Sequence, residues 1–316
     1  MKLTYYLPID TTKQQMTDEI ITGERIQYIA QVYIGTKTLF ERKHNINKNL
    51  CLDIYDIREP FLNPSIVFLY PDVLSEFANK IHYFKYPFVL ITHNSDIGII
   101  QSPLIEYIIQ HRVILRWYAI NVSYSHPKIY PLPSGIANQQ WEHGILSNFN
   151  PIFSSLPFLK KEGIYMNFTI HTAPLQREKC KTICESKGVF FQGNGGKLTP
   201  LENLVSLSQH KYCICPEGNG CDTHRLWECL YVKTVPILLN TPFSKILYEK
   251  FNFPVILLDS WECLEIDNLP DYSSFQFEVD CLRMSWIKEY IVGNLRFPFT
   301  VNLHLPTSSL QSLSGK

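Results

Sequence analysis

Arg225 and Glu228 stand three residues apart in the segment Cys215 to Tyr231, CPEGNGCDTHRLWECLY, and pair a planar guanidinium with a carboxylate. Such a pair suits a phosphorylated ligand, because the guanidinium fork matches phosphate oxygens and a fixed carboxylate matches the two adjacent hydroxyls of a ribose. Just upstream, Tyr212 to Cys215 is apolar and runs into Pro216. Glu217 to Cys221 then supplies two glycines and an asparagine before Asp222, where a helix is expected to open. Strand, flexible loop and helix start in that order let the backbone approach an anion, which the unpaired N–H groups of a first helical turn attract. At ~100° per residue, Leu226, Trp227, Leu230 and Tyr231 share one side of that helix and Arg225 and Glu228 the other. The competing reading is a solvated ion pair worth about 0.2–0.5 kcal/mol. The loop is neither GxGxxG nor a Walker A sequence, so neither a dinucleotide fold nor a P-loop is indicated.

The elements that must hold this segment are clearest in the second half, where short β-branched and aromatic runs alternate with amphipathic stretches of helical length. Strands are expected at Ile164 to Ile170, Val189 to Gln192, Tyr212 to Cys215, Val235 to Leu239 and Val255 to Leu258. Helices are expected at Leu175 to Ser186, Pro200 to Gln209, Asp222 to Val232 and Pro242 to Phe251. The alternation implies a parallel sheet covered by helices, whose ligands sit at the C-terminal ends of the strands. The first half offers strands at Leu3 to Leu7, Ile66 to Tyr70, Phe88 to Thr92 and Val113 to Ile120. Its start, to about Asn49, is polar and irregular and reads as a hairpin or an insertion. Gly144 to Gly163, with turn formers and two prolines, reads as the linker between two domains, 1–155 and 156–300. A helix from Asp280 (DCLRMSWIKEYI) precedes a Ser-rich tail over 301–316.

Composition narrows the classes of function. A chain of 316 residues, 45% hydrophobic and 18% charged, can bury two cores and is globular almost throughout. Lys plus Arg equals Asp plus Glu at 29 each, so no global field attracts nucleic acid. Nine cysteines lack the repeated CxxC spacing of a structural zinc site. They read as reduced thiols, which implies a cytoplasmic setting. His93, His111, His126 and His143 have no metal-ligand spacing either, and no metal is expected. The N-terminus has no signal-peptide pattern, and no stretch approaches the ~18 apolar residues needed to span a bilayer.

Residues 215–238, CPEGNGCDTHRLWECLYVKTVPIL, resemble the signature of the exostosin-like glycosyltransferases. There a strand ending in a Pro-x-Gly loop runs into a helix bearing Arg-x-x-Glu and then into a Val-Pro or Ile-Pro strand. YMNFTIHTAPLQREK, LITHNSDIGI and PKIYPLPSGIANQ carry a weaker likeness to segments of both lobes of that family. The resemblance implies an α/β fold of the GT-B type, two Rossmann-like lobes with a cleft between them, and no metal or cofactor beyond a nucleotide-sugar donor. It implies transfer of a sugar from a nucleoside diphosphate, UDP, to a carbohydrate or glycoconjugate acceptor, with inversion. Arg225 would pair with the donor diphosphate and Glu228 with its ribose, while Asn219 and Gly220 would line the phosphate loop. Arg177 becomes a second diphosphate ligand, or else an exposed helix arginine. His224 can donate to a phosphate, or cap or pack. Glu217 would repel phosphate and is expected to point away. Cys229 stands where the family commonly has Ala.

Transfer also needs a base for the acceptor hydroxyl. The strand Phe88 to Thr92 delivers His93 and Asp96 to the mouth of the first lobe, so Asp96 is the first choice for that role and His93 the second. The alternative for Asp96 is a loop residue that accepts backbone N–H groups. Trp117, Tyr118, Asn121, Gln139, Gln140 and Trp141 form either a sugar-stacking platform or part of a core. Two other functions stay open. A nucleotide-sugar epimerase would turn over donor without acceptor, and a lectin-like module would bind glycan and ignore UDP.

Overall fold

The computed structural model describes residues 13–42, 47, 50–58, 64–154, 160–192 and 198–293. The strand expected at Leu3 to Leu7 and the tail over 301–316 lie outside them. The chain is mixed α/β with two parallel sheets. The first has six strands in the order β2-β1-β3-β4-β5-β6, namely β1 (Val32–Gly35), β2 (Cys51–Asp53), β3 (Ile66–Leu69), β4 (Phe88–Thr92), β5 (Ile114–Ala119) and β6 (Ile129–Pro131). The second has four in the order β10-β9-β8-β7, namely β7 (Lys161–Tyr165), β8 (His210–Ile214), β9 (Val235–Leu239) and β10 (Ile256–Leu258). Every ladder among the described residues is parallel. Every residue of β3 and β4 is buried, which explains why they read as unbroken apolar runs.

Among the described residues the N-terminal stretch is neither a hairpin nor an insertion. It forms α1 (Lys13–Asp18), α2 (Gly23–Gln27) and β1, the second strand of the large sheet, which pairs with both β2 and β3. Its polar residues are spent inside the fold: the Thr22 hydroxyl caps α2, and Gln31 Oε1 accepts from the amides of Ser65 and Ile66. Ile20, Ile21 and Ile26 are fully buried beneath them. Beyond β1, α3 (Lys37–Glu41), α4 (Leu74–Lys80) and α5 (Pro103–Gln110) connect the strands of this sheet.

The stretch read as a linker is largely packed. It contains α6 (Phe149–Ser154), with Pro151 tolerated in the first turn. Phe149, Ile152 and Phe153 enter a core that also holds Tyr118 of the first sheet and Trp227 of the second half. Residues 155–159 are outside the described chain. In the second half α7 (Pro174–Ser186), α8 (Pro200–Ser208), α9 (His224–Tyr231) and α10 (Pro242–Phe251) flank the smaller sheet. Capping boxes at Thr199 and Thr241, each followed by proline at the first helical position, start α8 and α10. Val189 to Gln192 does not become a strand. Its one ladder-like bond runs from the Gln192 amide to Met166 O, past the end of β7 at Tyr165, and Phe191 packs edge-on against Phe168 instead.

The expected helix from Asp280 begins as a tight turn over Asp280–Leu282 and resumes as α11 (Met284–Val292), which returns to the first sheet. Tyr118 Oη donates to Tyr290 O at 2.9 Å, and the Met284 amide donates to Glu19 O at 2.9 Å. Among the described residues no helix is long and apolar enough to cross a membrane.

Candidate active site

The loops leaving the C-terminal ends of β4, β6 and β8 converge with the first turn of α2 on a cleft of about 230 Å³. Such ends are where open parallel sheets hold ligands, because the amides and loops there are free of the ladder. Its walls include His93 to Asp96 from the loop after β4, Ser134 and Asn138 from the loop after β6, and Asp222 and His224 from the segment after β8. Asn121 staples the walls together: its Nδ2 donates to Ser95 O at 3.2 Å and its Oδ1 accepts the Asp222 amide at 2.7 Å. It holds this position in the left-handed region, at φ 54°.

Asp222 does not open the helix; α9 begins at His224. The carboxylate is turned instead to the Ser134 amide (2.7 Å) and the Trp227 indole N–H (2.7 Å). Burial pushes its pKa up to about 7, and the two hydrogen bonds only partly offset that. His224 donates from Nδ1 to Gly135 O at 2.8 Å, since a carbonyl only accepts. This fixes the neutral tautomer with its lone pair on Nε2. His93 is differently engaged: Nδ1 accepts the Asn94 amide at 2.8 Å, and Nε2 lies 3.2 Å from Pro133 O, which requires the proton there. Both its nitrogens are thus committed, and the ring is 2% exposed. Asp96 is exposed on the cleft wall.

Gly135 carries the carbonyl that orients His224 and has φ +65°, and a Cβ there would lie 2.2 Å from Ile21 O. Gly135→Ala therefore meets main chain, not a side chain that can turn away. The expected loss is about 2–4 kcal/mol, read as a lowered urea midpoint; a loss below about 0.5 kcal/mol would contradict this close approach.

Arg225 and Glu228 do not line this cleft. They lie behind it, with side chains 18% and 7% exposed and Arg225 Nε 3.5 Å from Glu228 Oε2. Burial works against the guanidinium's charge, but Glu228, Cys213, Cys229 and Tyr165 together outweigh it and raise the Arg225 pKa. Arg225 Nη1 donates to Asn203 Oδ1 at 3.2 Å, and the guanidinium lies 5.8 Å from the Tyr165 ring centre. Tyr165 Oη and Asn167 Nδ2 also donate to Asn203 Oδ1. This buried polar group is incomplete, because Arg225 Nε and Asn167 Oδ1 have no hydrogen-bond partner. His143 links it to the cleft: its ring lies 6.2 Å from that of His224, and its pKa, lowered by burial, also responds to Glu228 and Arg225.

Arg177 is not an exposed helix residue but is buried, donating to the carbonyls of Glu217 (2.9 Å), Thr169 (2.6 Å) and Pro216 (3.4 Å). It clamps the loop after β8 to the segment after β7. In that loop Asn219 is exposed, and Gly220 packs so close to Asn121 that a Cβ would stand 3.0 Å from its Nδ2. Glu217 accepts from Thr241 Oγ1 at 3.2 Å. Burial raises its pKa, and the Thr241 bond opposes that. At the start of α9 the Thr223 side chain makes no capping hydrogen bond.

The aromatic group divides. Trp117 and Tyr118 are core residues, 0% and 1% exposed, whereas Trp141 is 56% exposed and borders the cleft. Sequence reading passed over Asp222 as a site residue, because the burial that raises its pKa is a tertiary effect, seen in its contact with Ser134, 88 positions away. No protein-family model and no curated protein matches the chain.

Proposed function

We propose that the chain is an exostosin-like glycosyltransferase of GT-B architecture, moving a sugar from UDP to a hydroxyl of a carbohydrate or glycoconjugate acceptor with inversion. The observation that carries this reading is the meeting of an uncapped helix start with a cleft at the C-terminal ends of both parallel sheets. The first-turn amides of α9, at whose start His224 lines the cleft, supply positive potential for a leaving diphosphate, and the Arg225 guanidinium adds its charge from behind the cleft. Asp96, exposed across the cleft, takes the acceptor proton as the bond to the nucleotide breaks. Asp222, with a pKa near 7, can hold or release a proton at the same site. Trp141 gives the acceptor sugar an apolar face on which to stack. The free thiols fit a reducing, cytoplasmic setting.

A panel of nucleoside mono- and diphosphates with their sugars, followed by thermal denaturation, tests this. UDP and one or more UDP-sugars should stabilise the fold by about 2.7 kcal/mol at a hundred times Kd, and UMP clearly less. Asp96→Asn should cut turnover by about 10²–10⁴-fold with donor affinity kept. Stabilisation by no diphosphate would sink the proposal, and donor conversion without acceptor would transfer it to an epimerase.

A further inference from the structure

β8 carries Cys213 and leads directly into Cys215; two residues apart on extended chain, they share a face. That face meets Cys229, one turn beyond Arg225 on α9. All three are free thiols, 0%, 2% and 0% exposed. Their sulfurs lie within 4.8 Å of one another, with Cys215 and Cys229 3.6 Å apart. A metal bound to thiolates at ~2.3 Å in a trigonal plane holds its sulfurs roughly 4.0 Å apart, so modest side-chain rotation brings the trio to that geometry. We propose that Cys213, Cys215 and Cys229 form a binding site for one thiophilic d¹⁰ cation, Cu(I), held by three sulfurs.

All-sulfur donors select soft ions. Structural zinc asks for four ligands, and among the described residues no fourth Cys, His, Asp or Glu stands with these three. That favours Cu(I) over zinc. Each thiol that binds releases its proton to solvent, so three thiols and one Cu(I) liberate three protons and leave a site of charge −2. Arg225, on the same helix as Cys229 and ion-paired with Glu228, provides a neighbouring positive charge against it. The ion would tie the end of β8 to α9 on either side of the loop that Arg177 clamps, stiffening the junction that holds Asp222 and His224. Without an ion the trio is an ordinary cluster of small core side chains, and the two cases are separable.

Full-length protein carrying Cys51→Ser and Cys263→Ser, which removes two of the more accessible thiols, is titrated anaerobically with Cu(I) supplied as its acetonitrile complex and competed with bicinchoninate. One copper per chain should be retained, X-ray absorption should count three sulfurs at one distance, and the melting temperature should rise. Cys229→Ala should lower Cu(I) affinity about 100-fold or more, while Cys281→Ala, equally buried elsewhere, should leave it unchanged. If Cys229→Ala does not fold, the sulfur count on the parent protein decides. No retained copper, oxygen or nitrogen ligands, or retention indifferent to Cys229→Ala overturns the site. Stabilisation by UDP is measured alongside without copper, so this test and that of the cleft fail separately.

Discussion

Replacing Arg225 by alanine will lower the unfolding free energy by about 3–5 kcal/mol and abolish binding of a nucleoside diphosphate. The stability loss follows from burial: Glu228 is 7% exposed, and removing its partner leaves a carboxylate enclosed without the neighbouring charge that balances it. Asn203 loses a donor in the same step. Arg225→Met combined with Glu228→Gln should recover most of that stability, because a neutral pair carries no uncompensated charge, yet it should not recover binding. Urea melts of Arg225→Met, Glu228→Gln and the double variant close the cycle, and calorimetry with UDP reads the second property. Failure of the double variant to recover would show that the enclosed carboxylate was not the cost. Unchanged UDP affinity in Arg225→Ala would remove the guanidinium from the donor site.

Asp222 should make stability fall as pH rises, at about 1.4 kcal/mol per pH unit between pH ~4 and ~7. Its ordinary pKa is 3.8 and its folded value about 7. Below the lower value both states are protonated, and the folded state keeps its full advantage. Between the two, the folded chain binds one proton more than the unfolded chain, so each unit of pH costs it. Above the upper value both states are ionised, and the advantage is gone. Asp222→Asn should remove this slope from the pH dependence of the urea midpoint. The variant also sets an amide N–H against one of the two donors that face the carboxylate, Ser134 N–H or Trp227 Nε1–H. That offset is constant with pH, so the comparison of slopes survives it. Identical slopes in the parent and Asp222→Asn would mean that the carboxyl titrates near its ordinary range.

Much of the fold is legible locally where burial is two-sided. β4 and β9 have the expected bounds, because a central parallel strand buried on both faces reads as a nearly unbroken apolar run between polar residues or turn formers. α10 is equally plain, since Thr241 and Pro242 start it and Asn252, at φ 48°, ends it. β1 was hidden for the opposite reason: the residues around it are polar, and their partners, Ser65 and Ile66 for Gln31 and Tyr70 for Gln27, lie more than thirty positions away. β7 was misjudged in extent. It begins at Lys161, its pairing shifts between Lys161 and Ile164 beside Gly163 at φ +101°, and the apolar run after Tyr165 packs without a ladder.

The order of strand, glycine loop and amphipathic helix across 212–231 was determined by the sequence itself, because each rests on the backbone preferences and spacing of neighbouring residues. Which of those side chains meet was decided only by tertiary structure. Arg225 and Glu228 turn inward toward Asn203 rather than into the cleft. Arg177 spends its donors on carbonyls up to forty positions away. Asp222 acquires a pKa near neutrality from its burial, which hydrogen bonds from Ser134, 88 positions away, and from Trp227 only partly offset. Charge, proton affinity and ligand access depend on what surrounds a group in space, and in this chain the surroundings come from strands far apart in sequence.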